Sequence, residues 1–199
     1  MAYRSIIRLF AVLALISSVA ATSVIRFSFD SLCETSVRIA HVTCIESEPV
    51  LAEDGIRTRS LFRVIEGIKG GVHDEARSVH DEDSRFPKEI EIMLPGGQIG
   101  DQRVTVPGMP VFGVGDEMVL FLSGPDAIGS AWPVGLGQGC YRVIANPSTG
   151  RSVHLQRGVT PIPTDALFKP SSSAPYQVDL KSFLDKVRDT IRSTAQSED

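Results

Sequence analysis

Short apolar runs separated by turn residues dominate the middle of the chain. Residues 37–45 (VRIAHVTCI) contain no glycine or proline, and residues 56–68 mix apolar and polar positions after turn residues at 51–55, as a half-buried strand does. Residues 88–94 alternate isoleucine with charged residues, and residues 117–122 are a short apolar run. β-Branched and alternating runs of this length are typical of strands. The pattern therefore predicts a mostly β protein.

Turn sequences between these runs suggest how the strands connect. The sequence PGG at 95–97 leads into residues 98–106, which predicts a strand–turn–strand hairpin. Residues 140–145 and 152–155 predict two more short strands, joined by the turn sequence NPSTG at 146–150. No helix alternates with the strands. We therefore expect a small antiparallel, OB-like β-barrel of five to six strands, with a small sandwich as the alternative.

The pattern changes after residue 157. Residues 158–177 are rich in proline and serine, which predicts an extended linker. Residues 178–199 then predict a C-terminal amphipathic helix and tail, in which Asp179 caps a helix over 179–193. We expect its apolar stripe to pack on the strands. The apolar positions at helical spacing are Leu180, Phe183, Leu184, Val187 and Ile191.

The first 21 residues have the features of an export signal. Arg4 and Arg8 precede an apolar run from Leu9 to Ala20, and small residues lie at its end. The run is shorter than the roughly 20 apolar residues that a membrane-spanning helix needs. We therefore predict a signal peptide over 1–21, a secreted or periplasmic OB-like domain over 22–157, and no membrane span after cleavage. An uncleaved anchor is the alternative.

Charge and motifs limit the classes of function. The net charge is −4, and lysine and arginine are not clustered, so the sequence argues against a nucleic-acid partner. We find no nucleophile elbow, no HExxH zinc motif, no SxxK pair and no EF-hand loop. The sequence therefore predicts a protein that is not an enzyme and that requires no cofactor.

The three cysteines are Cys33, Cys44 and Cys140. In an oxidising compartment we expect one disulfide among them, with one thiol left over. The pattern of the sequence leaves the pairing open. No CxxC spacing is present, so a thiol-redox role or a structural zinc site is not predicted.

A polar segment contains the sequence VHDE twice, at 72–75 and 79–82. Two histidines seven residues apart would lie on one face of a helix, where imidazole and carboxylate groups could bind a divalent metal ion. A hydrated acidic surface loop is the alternative for the same residues. The candidate metal ligands are His73, Asp74, His80 and Asp81, with Glu75 and Asp83 close by.

Three other side chains are candidates for a role outside the core. His41 and His154 lie within predicted strands, where packing or a hydrogen bond would also explain them. Trp132 is the single tryptophan and lies in a glycine-rich stretch. If the indole is exposed, we expect it to contact a protein or a sugar. If it is buried, we expect it to cover one end of the core.

Four motifs connect residues 33–157 with a known group of proteins. They are LPGG at 94–97, PGMP at 107–110, FxVGDExVLFL at 112–122 and GLGQGCYRV at 135–143. With them, the segment resembles a group of bacterial exported proteins that are similar to the OB-type barrels of netrin-like modules and tissue inhibitors of metalloproteinases. The resemblance implies an OB-like barrel and a protease-linked role. No functional residue carries over, because Cys33 lies inside the predicted mature chain and not at its N-terminus.

Together these observations predict a non-enzymatic interaction module outside the cytoplasm. Its expected partner is a protein of the cell envelope or medium, such as a secreted protease that it binds or modulates. The alternative is a β-barrel domain that binds a polysaccharide or a metal ion.

Overall fold

A computed structural model describes residues 25–70, 86–126, 129–147, 150–155 and 177–197. In this part of the chain, strands outnumber helices and a long helix lies at the C-terminal end, which confirms the predicted mostly β class. In chain order the elements are α1 (Phe29–Thr35), β1 (Arg38–Ala52), β2 (Gly55–Lys69), β3 (Glu89–Pro95), β4 (Gly97–Ile99), β5 (Gln102–Val104), β6 (Glu117–Leu122), a 3-10 turn (Leu136–Gly139), β7 (Cys140–Asn146), β8 (Gly150–Leu155), β9 (Gln177–Asp179) and α2 (Leu180–Ser197).

Seven strands form one antiparallel sheet in the order β3-β2-β1-β6-β7-β8-β9. β3 and β9 are its two edges, and no strand pairing joins them in the described ranges. The sheet is therefore open, and the predicted closure into an OB-like barrel is not confirmed.

β1 and β2 form a long hairpin with a two-residue turn at Glu53 and Asp54. The strands predicted at 37–45 and 56–68 are present, but β1 continues to Ala52, through residues predicted to turn. Pro49 is tolerated there because β6 pairs only with Arg38–Thr43, so this end of β1 has a free edge.

Successive residues of each strand point to opposite faces of the sheet, and each face has its own apolar core. The helix-covered face includes Ile39, Val119, Phe121, Tyr141 and Val153, which pack against α1 and α2. The loop-covered face includes Val42, Phe62, Ile92, Met118 and Leu120, which pack against Phe112, Met109 and Trp132 from connecting segments. The amphipathic helix predicted over 179–193 is confirmed, and it packs on the strands as expected.

Two elements differ from the prediction. α1 was not predicted; its signals are Ser28, whose Oγ accepts a hydrogen bond from the Ser31 N–H, and apolar residues Phe29, Leu32 and Cys33 at helical spacing. The hairpin predicted between 88–94 and 98–106 is wrong. β4 and β5 pair with each other and not with β3.

Backbone conformation explains why the predicted hairpin after β3 does not form. Gly96 and Gly97 have φ angles of 108° and 137°. Because only glycine adopts such angles without strain, the chain leaves β3 here, and Gly100 then allows the tight turn between β4 and β5.

Candidate functional site

A cleft of about 370 Å³ lies at one end of the sheet. It is bounded by the ends of β2 and β3, the hairpin of β4 and β5, and the irregular segment 105–112. Its walls are mostly apolar side chains and backbone. The apolar side chains in the lining are Leu94, Pro95, Val104, Val106, Met109, Pro110, Val111 and Phe112.

Hydrogen bonds from half-buried hydroxyl groups hold two walls of the cleft in place. Thr58 Oγ1 donates to the Gly96 carbonyl oxygen at 2.8 Å, which anchors the turn before β4. Ser47 Oγ donates to the Phe112 carbonyl oxygen at 2.9 Å, which anchors the end of segment 105–112 to β1. The Phe62 and Phe112 rings pack edge to face with centroids 5.0 Å apart. The cleft therefore rests on the loop-covered core.

Glycine at position 97 is required by the packing around the cleft. A Cβ atom there would lie 2.8 Å from Thr58 Oγ1 and 3.3 Å from side-chain atoms of Ile56 and Pro49. These atoms belong to the β1–β2 hairpin, and the φ angle of 137° also disfavours any residue with a Cβ atom, so a larger residue would disturb the contact between the two hairpins.

The cleft exposes apolar surface to solvent. Val111 is 78% exposed and Val104 is 43% exposed. Each Å² of apolar surface that a ligand covers contributes roughly 25 cal/mol. Exposed apolar residues that line a concavity are typical of a site that another molecule covers.

Ionisable groups are nearly absent from the lining. Arg103 is the single ionisable side chain among the lining residues, and its Nε and Nη2 atoms donate to Gln98 Oε1 at 3.0 and 2.7 Å. The hydroxyl groups of Thr58, Ser60 and Thr105 have no histidine or carboxylate beside them in the lining. The cleft therefore offers binding groups but no nucleophile–base pair.

The two strand histidines in the described ranges lie elsewhere. His41 is buried on the helix-covered face, where its Nε2 lies 2.7 Å from Glu117 Oε1, and Arg151 Nη1 lies 3.1 Å from the same oxygen. The sequence did not predict this cluster, because Glu117 and Arg151 come from strands distant in the chain. His41 is 3% exposed and none of the three residues lines the cleft, so the cluster links β1, β6 and β8 outside the candidate site.

His154 lies beside Ser152 on β8. Its Nε2 is 3.0 Å from Ser152 Oγ, and Gln177 Nε2 donates to the same hydroxyl oxygen at 2.8 Å. Burial lowers the pKa of His154, so the ring is neutral at pH 7. Ser152 is 5% exposed, and neither Ser152 nor His154 lines the cleft. The hydrogen bond from Gln177 to Ser152 links the edge strand β9 to β8.

All three cysteines are buried free thiols, and the predicted disulfide is not formed. Cys33 belongs to the helix-covered core, whereas Cys44 and Cys140 belong to the loop-covered core on the other face. β6 separates the strands of Cys44 and Cys140. Two strand spacings are about 10 Å, beyond the roughly 7 Å between Cα atoms that a disulfide allows.

Trp132 is half-buried and packs against the loop-covered core. Its indole Nε1 donates to Asp126 Oδ2 at 2.8 Å, so the polar edge of the ring is already bonded. The structure therefore places Trp132 as a core cover, the alternative that the sequence left open, and not in the cleft.

The candidate metal ligands His73, Asp74, His80 and Asp81 lie outside the described residues, as does the predicted signal peptide over 1–21. Within the described ranges, no three histidine, cysteine, aspartate or glutamate side chains come together in a way that could hold a metal ion.

Sequence reasoning did not identify the cleft, although two motifs border it. LPGG at 94–97 and PGMP at 107–110 contribute backbone and apolar side chains to its walls. The sequence feature that could have indicated the cleft is the set of valines at 104, 106 and 111 between turn residues. A period-two pattern alone assigns such valines to ordinary strands.

The chain was compared with protein-family models, with curated proteins and with solved structures, and none of them matches it. Among the helices that the structure describes, none has the length and apolarity needed to cross a membrane.

Proposed function

We propose that the protein is a non-enzymatic interaction module that acts outside the cytoplasm, and that its cleft binds a segment of a partner protein. The observation that carries the proposal is the apolar cleft with exposed valines at 104 and 111 and a single ionisable residue in its lining. Apolar surface at the centre of a binding site, with charge kept to its rim, is the usual anatomy of a protein interface.

The size of the cleft suits a side chain better than a whole domain. Its volume of about 370 Å³ is at the low end of the range for ligand pockets, roughly 300–1,000 Å³. A partner that inserts one or two apolar side chains would cover Val111 and displace water from the walls. Such a buried anchor supplies most of the binding free energy in many interfaces.

The partner class follows from the sequence. The apolar segment at the N-terminus supports export, and the resemblance of residues 33–157 to exported proteins with OB-type barrels supports a partner in the envelope or medium, such as a secreted protease. A polysaccharide-binding role receives less support, because sugar sites use exposed aromatic rings and the one aromatic residue of the cleft, Phe112, is 5% exposed.

Site-specific photo-crosslinking tests the proposal. A benzophenone amino acid replaces Val104 in the full chain, the protein is exported in a bacterial host, and crosslinked products are mapped by mass spectrometry. We expect a crosslink to one defined segment of a partner, and we expect Val111→Asp to abolish it, because a carboxylate in the apolar cleft would be desolvated without a counter-ion.

Val114→Asp is the matched control. Val114 is also a valine of the connecting segment, is 69% exposed, and does not line the cleft. The crosslink should survive this change. A crosslink that is insensitive to Val111→Asp, or that both variants abolish equally, would contradict binding in the cleft.

A further inference from the structure

We infer that the cleft recognises an extended partner segment in which an apolar residue lies next to an acidic residue, and that Arg103 binds the acidic side chain. This inference rests on the proposed function and adds the chemistry of the segment that the cleft selects. Three features of the cleft support it: the charge of Arg103, the hydrogen bonds to Gln98 that fix its position, and the backbone groups of the cleft wall.

Charge complementarity comes from Arg103. Its exposed guanidinium lies in the lining of a cleft that contains no carboxylate, and it makes no ion pair within the described part of the chain. Arg57, Arg59 and Arg142, in contrast, each contact carboxylate groups of the protein itself. The positive charge of Arg103 is therefore available to a ligand.

Gln98 holds Arg103 in a defined position. The two residues are direct partners in the β4–β5 register, and Gln98 Oε1 accepts hydrogen bonds from both Nε and Nη2. Gln98 Nε2 in turn donates to the Gly100 carbonyl oxygen at 3.1 Å. One edge of the planar guanidinium thus binds a neutral amide, which leaves the Nη1 side for a carboxylate. Fixing a flexible side chain before binding reduces the entropy cost of the contact.

The wall of the cleft offers backbone groups to an extended peptide. Within the described ranges, the backbone N–H and C=O groups of Thr105 and Val111 make no hydrogen bond, and both residues are exposed. An extended chain presents N–H and C=O groups in alternation and can pair with such a wall, while its side chains fill the pocket.

These features together define the ligand. An apolar side chain enters the space between Leu94, Val106 and Phe112. The peptide backbone pairs with the free groups of Thr105 and Val111, and a neighbouring aspartate or glutamate meets Arg103 at the rim. We assign the acidic group to an internal side chain, and a free C-terminal carboxylate is the alternative that the experiment below distinguishes.

Phage display of random linear peptides on the immobilised full chain tests the inference. We expect the selected peptides to share an apolar residue beside an acidic one. For a synthetic peptide from this set, measured by fluorescence anisotropy, Arg103→Gln should weaken binding about tenfold. Replacing the peptide's acidic residue by its amide should cause the same loss, and the two changes together should cost little more than either alone.

Arg63→Gln is the control for net charge, because Arg63 is an exposed arginine of β2 outside the lining. It should leave binding unchanged. Three results would overturn the inference while leaving the proposed function intact: selected peptides that bind in a Val111→Asp-sensitive manner but lack an acidic residue, additive losses in the double substitution, or binding that depends on a free C-terminal carboxylate. If no peptide binds the wild type better than Val111→Asp, both proposals fail.

Discussion

At the residue scale, aromatic side chains join the two helices to the sheet. The ring centroids of Tyr141 and Phe183 are 4.7 Å apart, and those of Phe29 and Phe183 are 5.7 Å apart. Phe121 lies 5.3 Å from Tyr141 in the same group. Edge-to-face and tilted ring pairs stabilise a core beyond the area that they bury. These four rings come from α1, β6, β7 and α2, so one contact group holds four elements.

Tyr141 places a polar group inside this apolar cluster. Its hydroxyl is buried and has no hydrogen-bond partner within the described ranges. An unpaired buried hydroxyl costs about 1–3 kcal/mol, so Tyr141→Phe should raise the free energy of unfolding by about 1 kcal/mol in urea titrations followed by circular dichroism. Phe121→Ala, which leaves a cavity beside the same ring, should lower it by about 3–5 kcal/mol. A marked loss in Tyr141→Phe would show that the hydroxyl is hydrogen-bonded.

Burial also decides how the thiols titrate. Burial, and to a smaller extent the nearby carboxylate of Asp30, raise the pKa of Cys33 from 9.0 to about 12, and burial raises the pKa of Cys140 well above its usual range. A thiol that stays protonated in the folded state stabilises it fully below pH 9, and this contribution is lost as the pH rises toward the folded pKa.

We therefore expect the free energy of unfolding to fall between pH 9 and pH 12, by about 1.4 kcal/mol per pH unit for each such thiol. Urea titrations at a series of pH values measure the slope. Cys33→Ala should make it shallower. A slope identical in the two proteins would contradict a buried, protonated Cys33.

A thiol count distinguishes three free cysteines from the one disulfide and one thiol that the sequence predicted. With Ellman's reagent at pH 8 and no reductant, the folded protein should react slowly, because thiolates are the reactive form and burial suppresses them. In denaturant all three cysteines should react. A single reactive thiol in denaturant would mean that two of them are bonded to each other.

At the scale of elements, α2 begins at a capped N-terminus. Asp179 Oδ2 accepts hydrogen bonds from the Ser182 N–H at 3.0 Å and from its Oγ at 3.2 Å, as the sequence predicted. Farther along, Arg188 binds Glu66 of β2, so the helix is also tied to the sheet.

Asp179→Ala should lower the free energy of unfolding by about 1 kcal/mol, because it leaves helix N–H groups without an acceptor. Asp179→Asn should retain most of the stability, since an amide oxygen also caps. Asp189→Ala, which removes an exposed carboxylate paired with Arg192 within the helix, is the control and should change stability by less than about 0.5 kcal/mol. Chemical denaturation measures all three, and equal losses at 179 and 189 would argue against the cap.

At the scale of the whole molecule, the sheet needs a cover on each face. The helix-covered core includes strand residues from β1, β6, β7, β8 and β9, and α2 supplies Leu180, Phe183, Leu184 and Val187 to it. Because a sheet with one bare apolar face is not stable in water, α2 belongs to the same folding unit as the strands.

A chain that ends at Asp179 should therefore lose cooperative thermal unfolding and bind the dye ANS, because Phe121 and Tyr141 would face solvent. A chain that ends at Thr194 keeps every buried residue of α2 and should unfold like the full chain. Cooperative unfolding of the shorter chain would mean that the strands and α1 form a stable unit without α2.

The local pattern of the sequence was sufficient to predict most of the regular elements. β6 at 117–122, β3 near 88–94 and α2 after Asp179 are all present, because apolar periodicity and capping groups act over a few residues. The turns were predicted less well. Gly96 and Gly97 turn the chain away from β3, and sequence alone did not show that their φ angles prevent the expected hairpin.

Only the tertiary structure decided which residues meet. The open strand order, the separation of Cys33, Cys44 and Cys140 into two cores, and the approach of the β4–β5 hairpin to segment 105–112 all depend on contacts between residues far apart in the chain. A single sequence records which residues are apolar or charged. It does not record which sheet face or neighbouring strand each of them faces, and the cleft with Arg103 at its rim exists only through that arrangement.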